Sequence, residues 1–112
     1  MKTRRTNKRL LLKTIRRSRN PDKKYDAIFQ YPDGHTKTTS FGQTGYNDFV
    51  KYNSKFGTDV AKKHKTRYIK RHRGMGETFR NPVKPQTLSR YILWNKPSLR
   101  DSIKDFKRRF SL

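Results

Sequence analysis

The sequence predicts an α+β fold, a β-hairpin or small antiparallel sheet packed with three to four short helices. Three observations predict it. A strand-like alternation over 24–31 runs into Pro32-Asp33-Gly34. Apolar residues recur at helical spacing over 99–110. Seven Phe, six Tyr and one Trp stand in a chain of 112 residues that is, with them included, only 29% hydrophobic. Each buried aromatic removes about 150–250 Å² from water, so these rings offset a composition that by itself suggests disorder. The length suits one domain and not two.

Residues 1–23 read as a basic N-terminal arm, interrupted by Leu10-Leu11-Leu12 and Ile15. As a helix these four would form a short amphipathic stripe. As a strand over 9–17, Leu10 and Leu12 share one face and pair with the hairpin that follows. The turn signal Asn20-Pro21-Asp22 favours the strand. A single domain then spans 24–112. Tyr25, Ala27, Phe29 and Tyr31 alternate with Asp26, Ile28 and Gln30. Residues 35–41 are rich in β-branched Thr. Pro32 presets φ and Gly34 accepts a left-handed one, so the link is a type I turn with a Gly bulge.

Gly42 and Gly45 are expected to break the second strand. Tyr46, Phe49 and Val50 recur at i, i+3, i+4 and predict a short helix. Thr58 or Asp59 is expected to cap the next helix, roughly 60–73, with Val60, His64 and Tyr68 on its inner stripe. Gly74-Met75-Gly76 ends it. Residues 77–86 hold Pro82 and Pro85 and read as a loop. Thr87 is expected to cap a short helix carrying Leu88, Tyr91, Ile92 and Trp94, closed by Asn95-Lys96-Pro97. Ser98 and Asp101 have capping-box spacing. Behind them Leu99, Ile103, Phe106 and Phe110 form an apolar stripe.

Charge dominates the functional reading. Thirty Lys and Arg against eight Asp and Glu give a formal net charge of +22. A compact chain so charged repels itself and calls for an anionic partner. Nucleic acid, at one charge per ~1.7 Å of duplex, is the densest common polyanion. The predicted helix 60–73 places like charges at i, i+4 (Lys63–Arg67, Arg67–Arg71) without interleaved Glu, which costs a few tenths of a kcal/mol per pair unless an anion is met. The expected phosphate contacts are Lys62, Lys63, Arg67, Lys70, Arg71 and Arg73, with Arg4, Arg5, Lys8, Arg9, Arg16 and Arg17 in the arm. The ordinary alternative is a solvated basic face.

Other chemistries are weaker. No cysteine exists, so disulfides and Cys-ligated metals are excluded. His35, His64 and His72 lack further zinc ligands, and no metal or cofactor is expected. Asp101 and Asp105 lie i, i+4 beside Lys104, Arg108 and Arg109, which reads as helix salt bridging, and no enzyme is expected. Phe41-Gly42-Gln43-Thr44-Gly45 lacks nucleotide-loop spacing and reads as a strand-to-helix turn, although a phosphate could sit there. Residues 86–110 have the outline of a helix-turn-helix, but Asp101 occupies the end that would enter a groove, and core packing is preferred. Tyr52, Phe56 and Phe79 fit no stripe; they are candidates to stack on single-stranded bases, or equally a satellite core or subunit interface. No apolar run reaches the ~20 residues of a membrane span, and Leu10-Leu11-Leu12 is too short for a signal core. No membrane partner and no small-molecule substrate are expected. A sheet edge and surplus aromatics are compatible with a homodimer.

The strings PDKKYDAIF (21–29), PDGHTKTTSFG (32–42), GYNDF (45–49), RYIKRHR (67–73), LSRYILW (88–94) and SLRDSIKDFKRRF (98–110) resemble, in order and spacing, a family of small basic proteins of large nucleocytoplasmic DNA viruses. After Arg73 the chain departs from it: Gly74-Met75-Gly76-Glu77-Thr78-Phe79 stands where an acid and then Trp are expected, with Phe79 in the place of that aromatic. The resemblance implies a viral origin, with localisation in the virion and in host cytoplasm or nucleus during infection. It supplies no activity. The expected function is therefore sequence-independent binding of DNA or RNA through phosphates, aiding genome binding, compaction or packaging. The alternative is a structural virion protein, minor capsid or internal cement, whose charge meets acidic protein surfaces. A ribosome-associated basic protein is a third reading.

Overall fold

The computed structural model describes residues 9–112. Three strands, β1 (Leu11–Arg17), β2 (Lys23–Gln30) and β3 (Thr36–Gln43), form an antiparallel sheet in the order β1-β2-β3. Four helices follow: α1 (Phe49–Phe56), α2 (Thr58–Gly74), α3 (Pro85–Leu88) and α4 (Leu99–Phe110). A π-helical segment, Ser89–Leu93, extends α3. The fold is α+β.

Tyr25, Ala27 and Phe29 share the inner face of β2, as their alternation requires. The hairpin closes with Gly34 N–H on Tyr31 O (2.9 Å), Tyr31 N–H on His35 O (2.9 Å) and Gly34 at φ +97°. The strand expected within 9–17 is β1, which pairs with β2 and brings that part of the arm into the sheet. The register slips between Leu12 and Thr14, setting Leu12 against Phe29 and Ile15 against Ala27. A bulge at Lys13 thus gives Leu12 and Ile15 the same inner face, which period-2 reading denies them. Fully buried Phe29, Phe41, Leu88, Ile92 and Phe106 centre the core, with Leu12 and Leu93 beside them. Leu99, Ile103 and Phe110 pack on it from the α4 stripe.

Several expected details shift. β3 continues through Gly42, whose φ is +78°; a Cβ there would come within 2.7 Å of Leu93 Cδ1, so glycine lets the π-helical segment lie against the strand. α1 begins at Phe49, capped by Asp48, whose Oδ1 accepts from Lys51 N–H at 3.0 Å; Tyr46 lies outside it. The residue before α2 is Gly57, and Thr58 Oγ1 donates instead to Asn53 Oδ1 at 2.7 Å, so neither Thr58 nor Asp59 caps it. Ala61, not Val60, is buried with Tyr68. Pro85, whose missing N–H suits a first helical position, starts α3 one turn earlier than a Thr87 cap would; Thr87 is buried within the helix. Ser98 Oγ does cap α4, accepting from Asp101 N–H at 3.3 Å. No helix among the described residues is long and apolar enough to cross a membrane.

Candidate nucleic-acid interface

α2 runs for seventeen residues with one turn of its circumference buried. Ala61 and Tyr68 face inward, and Lys65, i+4 from Ala61, is half-buried with them. Lys65 Nζ donates to Asn95 O at 3.1 Å and lies 5.2 Å from the centre of the Phe49 ring. Burial, then the nearby Arg90, Lys96 and Arg109, lower its pKa. This lysine serves the fold. Lys62, Lys63, Arg67, Lys70, Arg71 and Arg73 are all exposed, and Lys63, Arg67 and Arg71 form one row about 6 Å apart per step. Among the described Lys and Arg residues, only Arg16, Lys24, Arg108 and Arg109 have a carboxylate within 4 Å. The α2 row has no internal counter-charge.

Three of the acids are drawn inward. Asp26 is buried on the outer sheet face, accepting from Ser18 Oγ (2.6 Å), Ser40 Oγ (2.7 Å) and Arg19 N–H (3.4 Å). These hydrogen bonds hold its carboxyl below the usual carboxylate range. Asp48 takes Lys24 Nζ at 2.7 Å. Asp105 is buried: burial alone would raise its pKa, but Arg109 Nε (2.7 Å), Asn95 Nδ2 (2.7 Å) and Arg108 hold it at about 2. Helix salt bridging therefore describes Asp105; Asp101 has no cation within 4 Å among the described residues.

The arm residues do not gather into one cluster. Arg4, Arg5 and Lys8 lie outside the described residues. Arg9 is exposed beside the Pro32–Gly34 turn. Arg17 is exposed at the other end of β1, opposite Tyr25, where β2 carries Lys23 and Lys24. Arg16 faces Asp26 across the strands, with its guanidinium at 3.7 Å, and is the one arm cation that the sheet partly neutralises.

The sequence reading missed a cleft. About 730 Å³ opens between α2, the Lys23 end of the sheet and the 85–94 segment. Aromatic rings line one wall: Tyr52 stacks on His64 (centroids 3.9 Å, 5° between planes) and Tyr68 on Trp94 (4.8 Å, 14°). Arg67 and Arg71 of the row reach the same cleft. Tyr68 is buried, and burial and then Glu77 raise its phenol to about 12, so it stays neutral. His72 Nδ1 lies 2.6 Å from Glu77 Oε2, and His35 contacts Asp33; no group of three metal-ligating side chains occurs among the described residues. Of the unassigned aromatics, Tyr52 is in the cleft, Phe56 is exposed, and Phe79 is buried in a left-handed conformation (φ +57°), out of reach of a base. Phe41 is buried and Gly42 packs on Leu93, so the 41–45 segment is a strand end and turn. Ser102, Asp105 and Phe106 bury one side of α4. Comparison with protein-family models, curated proteins and solved structures finds no match for the chain.

Proposed function

We propose that this protein binds nucleic acid without reading its sequence, through phosphate contacts, and aids genome binding, compaction or packaging in the particle of a large DNA virus. The observation that carries the binding is the α2 row: six exposed cations, none with a carboxylate in reach, opposite the buried stripe that docks the helix. Such a row gains most from a polyanion whose counterions it displaces. Lys23 and Arg17 extend the positive surface to the near end of the sheet. The viral setting rests on the resemblance of the strings between Pro21 and Phe110. Catalysis is no part of the reading, since Asp26, Asp48 and Asp105 are each engaged in holding elements together.

Gel shifts with random duplex DNA, a single strand and RNA, each at two salt concentrations, test it. If the six α2 cations each neutralise one phosphate, log K falls with log salt at a slope of about −5. A slope near zero, or tight binding to just one sequence from a random pool, overturns the proposal. Absence of salt-sensitive binding to random DNA would favour a cementing role against acidic protein surfaces.

A further inference from the structure

The cleft adds something a phosphate-binding surface does not need. A row of cations suffices to hold a duplex backbone, yet here two of its members, Arg67 and Arg71, border a recess walled by stacked rings. The Tyr52–His64 and Tyr68–Trp94 stacks meet through a tilted contact, with Tyr52 and Trp94 centroids 6.0 Å apart and their planes at 41°. Tyr46 lines the cleft and is 65% exposed as a residue, although Lys24 Nζ fixes its backbone by donating to Tyr46 O at 2.6 Å. An exposed tyrosine on an anchored backbone is a ready surface for a flat, apolar-faced ligand. The recess holds one acid, Asp48, and Lys24 neutralises it at 2.7 Å. Lys23, Arg67 and Arg71 remain without a carboxylate within 4 Å, so the cleft as a whole favours an anion. Gln43 and Gln86 offer amides that both donate and accept.

The geometry points to this cleft as a binding site for an unpaired nucleotide of a single strand, its base stacked on Tyr46 and Tyr52 and its phosphates on Lys23, Arg67 and Arg71. The inference rests on the reading that the protein binds nucleic acid, and names which form of it the cleft takes. Stacking on aromatics tolerates any base, and it requires that the base be out of the duplex. A volume of about 730 Å³ lies in the range of sites that enclose a small organic group. A strand is favoured over a free nucleotide because Arg67 also borders a shallow trough of about 360 Å³ formed with Lys62, Lys63 and Thr66, which gives the adjoining phosphates a positive path along α2.

Trp94, the sole tryptophan, lines the cleft and reports on it directly. The full chain is titrated with an oligothymidylate of about 12 nucleotides, the uridylate of equal length, a random duplex of the same length and thymidine monophosphate. Trp94 fluorescence and anisotropy of the labelled nucleic acids are followed together. Both single strands are expected to change Trp94 emission and to bind more tightly than the duplex. Tyr46→Ala is expected to weaken single-strand binding roughly 5- to 100-fold, the range for loss of one stacked base, and to change duplex binding less than twofold. Its exposure keeps the fold out of the outcome; Tyr52→Leu, where it folds, shows the same pattern, and Tyr52→Phe restores the strand affinity. Equal affinities with an unmoved Trp94 signal, or an intact strand affinity in Tyr46→Ala, overturn the cleft assignment and leave the phosphate reading standing. Tight binding of the monophosphate with no gain for the strand overturns the strand assignment. Absence of binding to every nucleic acid at low salt overturns both readings.

Discussion

Neutralising the α2 row separates a binding surface from an ordinary solvated face, because the two make opposite claims about salt. The perturbation is Lys63→Gln, Arg67→Gln and Arg71→Gln in one chain. All three side chains are exposed, one helical turn apart, and none has a carboxylate within 4 Å. Each lost phosphate contact removes about 0.9 from the slope of log K against log salt, so the triple variant should be shallower by about 2.7. Stability should move the other way. Two like-charge i, i+4 pairs disappear, each worth about 0.2–0.5 kcal/mol of repulsion, and no ion pair is broken. A gain approaching 1 kcal/mol raises Tm by a few degrees in a domain of this size. Anisotropy with a random duplex at several salt concentrations gives the slope, and a thermal melt without nucleic acid gives the stability. A variant whose slope equals that of the parent shows that the row is not the contact surface. A variant that melts several degrees lower shows that these side chains hold the fold, and the inference from unpaired charge to ligand fails with it.

Two further expectations follow from the same structure. Asp105 sits at about 2 in the folded protein, below its ordinary 3.8, so its ion pairs stabilise the fold fully above about pH 4 and are lost as pH falls from 3.8 through 2. The shift corresponds to roughly 2 kcal/mol; Asp105→Asn should flatten this acid limb in denaturant melts across pH 2–5, and an unchanged limb would show that another carboxyl governs it. Removal of residues 1–8 takes away Lys2, Arg4, Arg5 and Lys8 but leaves β1, which begins at Leu11, whole. The salt slope should become shallower by up to about 3.6 while Tm stays within a few degrees; a large drop in Tm at constant slope would make the N-terminus structural.

What the sequence revealed and what it hid divide along the range of the interactions. The β2–β3 hairpin is written in neighbouring residues: alternation from Tyr25 to Phe29, and a Pro-Asp-Gly turn that needs no distant partner. The α4 stripe and its Ser98 cap are equally local. The bulge at Lys13 is not, because it is defined by which β2 residues stand opposite. The π-helical segment is hidden for a related reason. Its closing bond runs from Trp94 N–H to Ser89 O at 3.0 Å, one residue wider than an α-helical turn, and nothing in SRYIL marks the extra residue. That wide turn sets where Trp94 points relative to Leu88 and Ile92, which are buried in the core while Trp94 stacks on Tyr68. The cleft was therefore out of reach: its walls join Lys23, Gln43, Tyr52, Arg71 and Trp94, and no spacing rule links them.

The charge, by contrast, was legible because folding does not cancel it. Of the acids, Asp26 is held chiefly by two serine hydroxyls and a backbone amide, with Arg16 only at 3.7 Å. Asp105 engages Arg108 and Arg109, and Asp48 engages Lys24. Folding thus sorts charge rather than pairing it: Asp26, Asp48 and Asp105 go inward to hydroxyls, amides and four basic side chains, Lys65 and Arg90 bond backbone carbonyls, and most of the other described cations stay exposed with no carboxylate within 4 Å. A net charge counted from composition usually says little about any one surface, because salt bridges redistribute it. Here too few acids exist to do so, and three of the eight, Asp26, Asp48 and Asp105, are buried. The excess then stays on the surface, and α2, whose buried residues are Ala61 and Tyr68, carries six of the exposed cations. Its like-charge repulsion persists in the unbound protein; on the proposed reading a bound polyanion relieves it, and the free energy of binding and the stability of the fold would then be linked through the same residues.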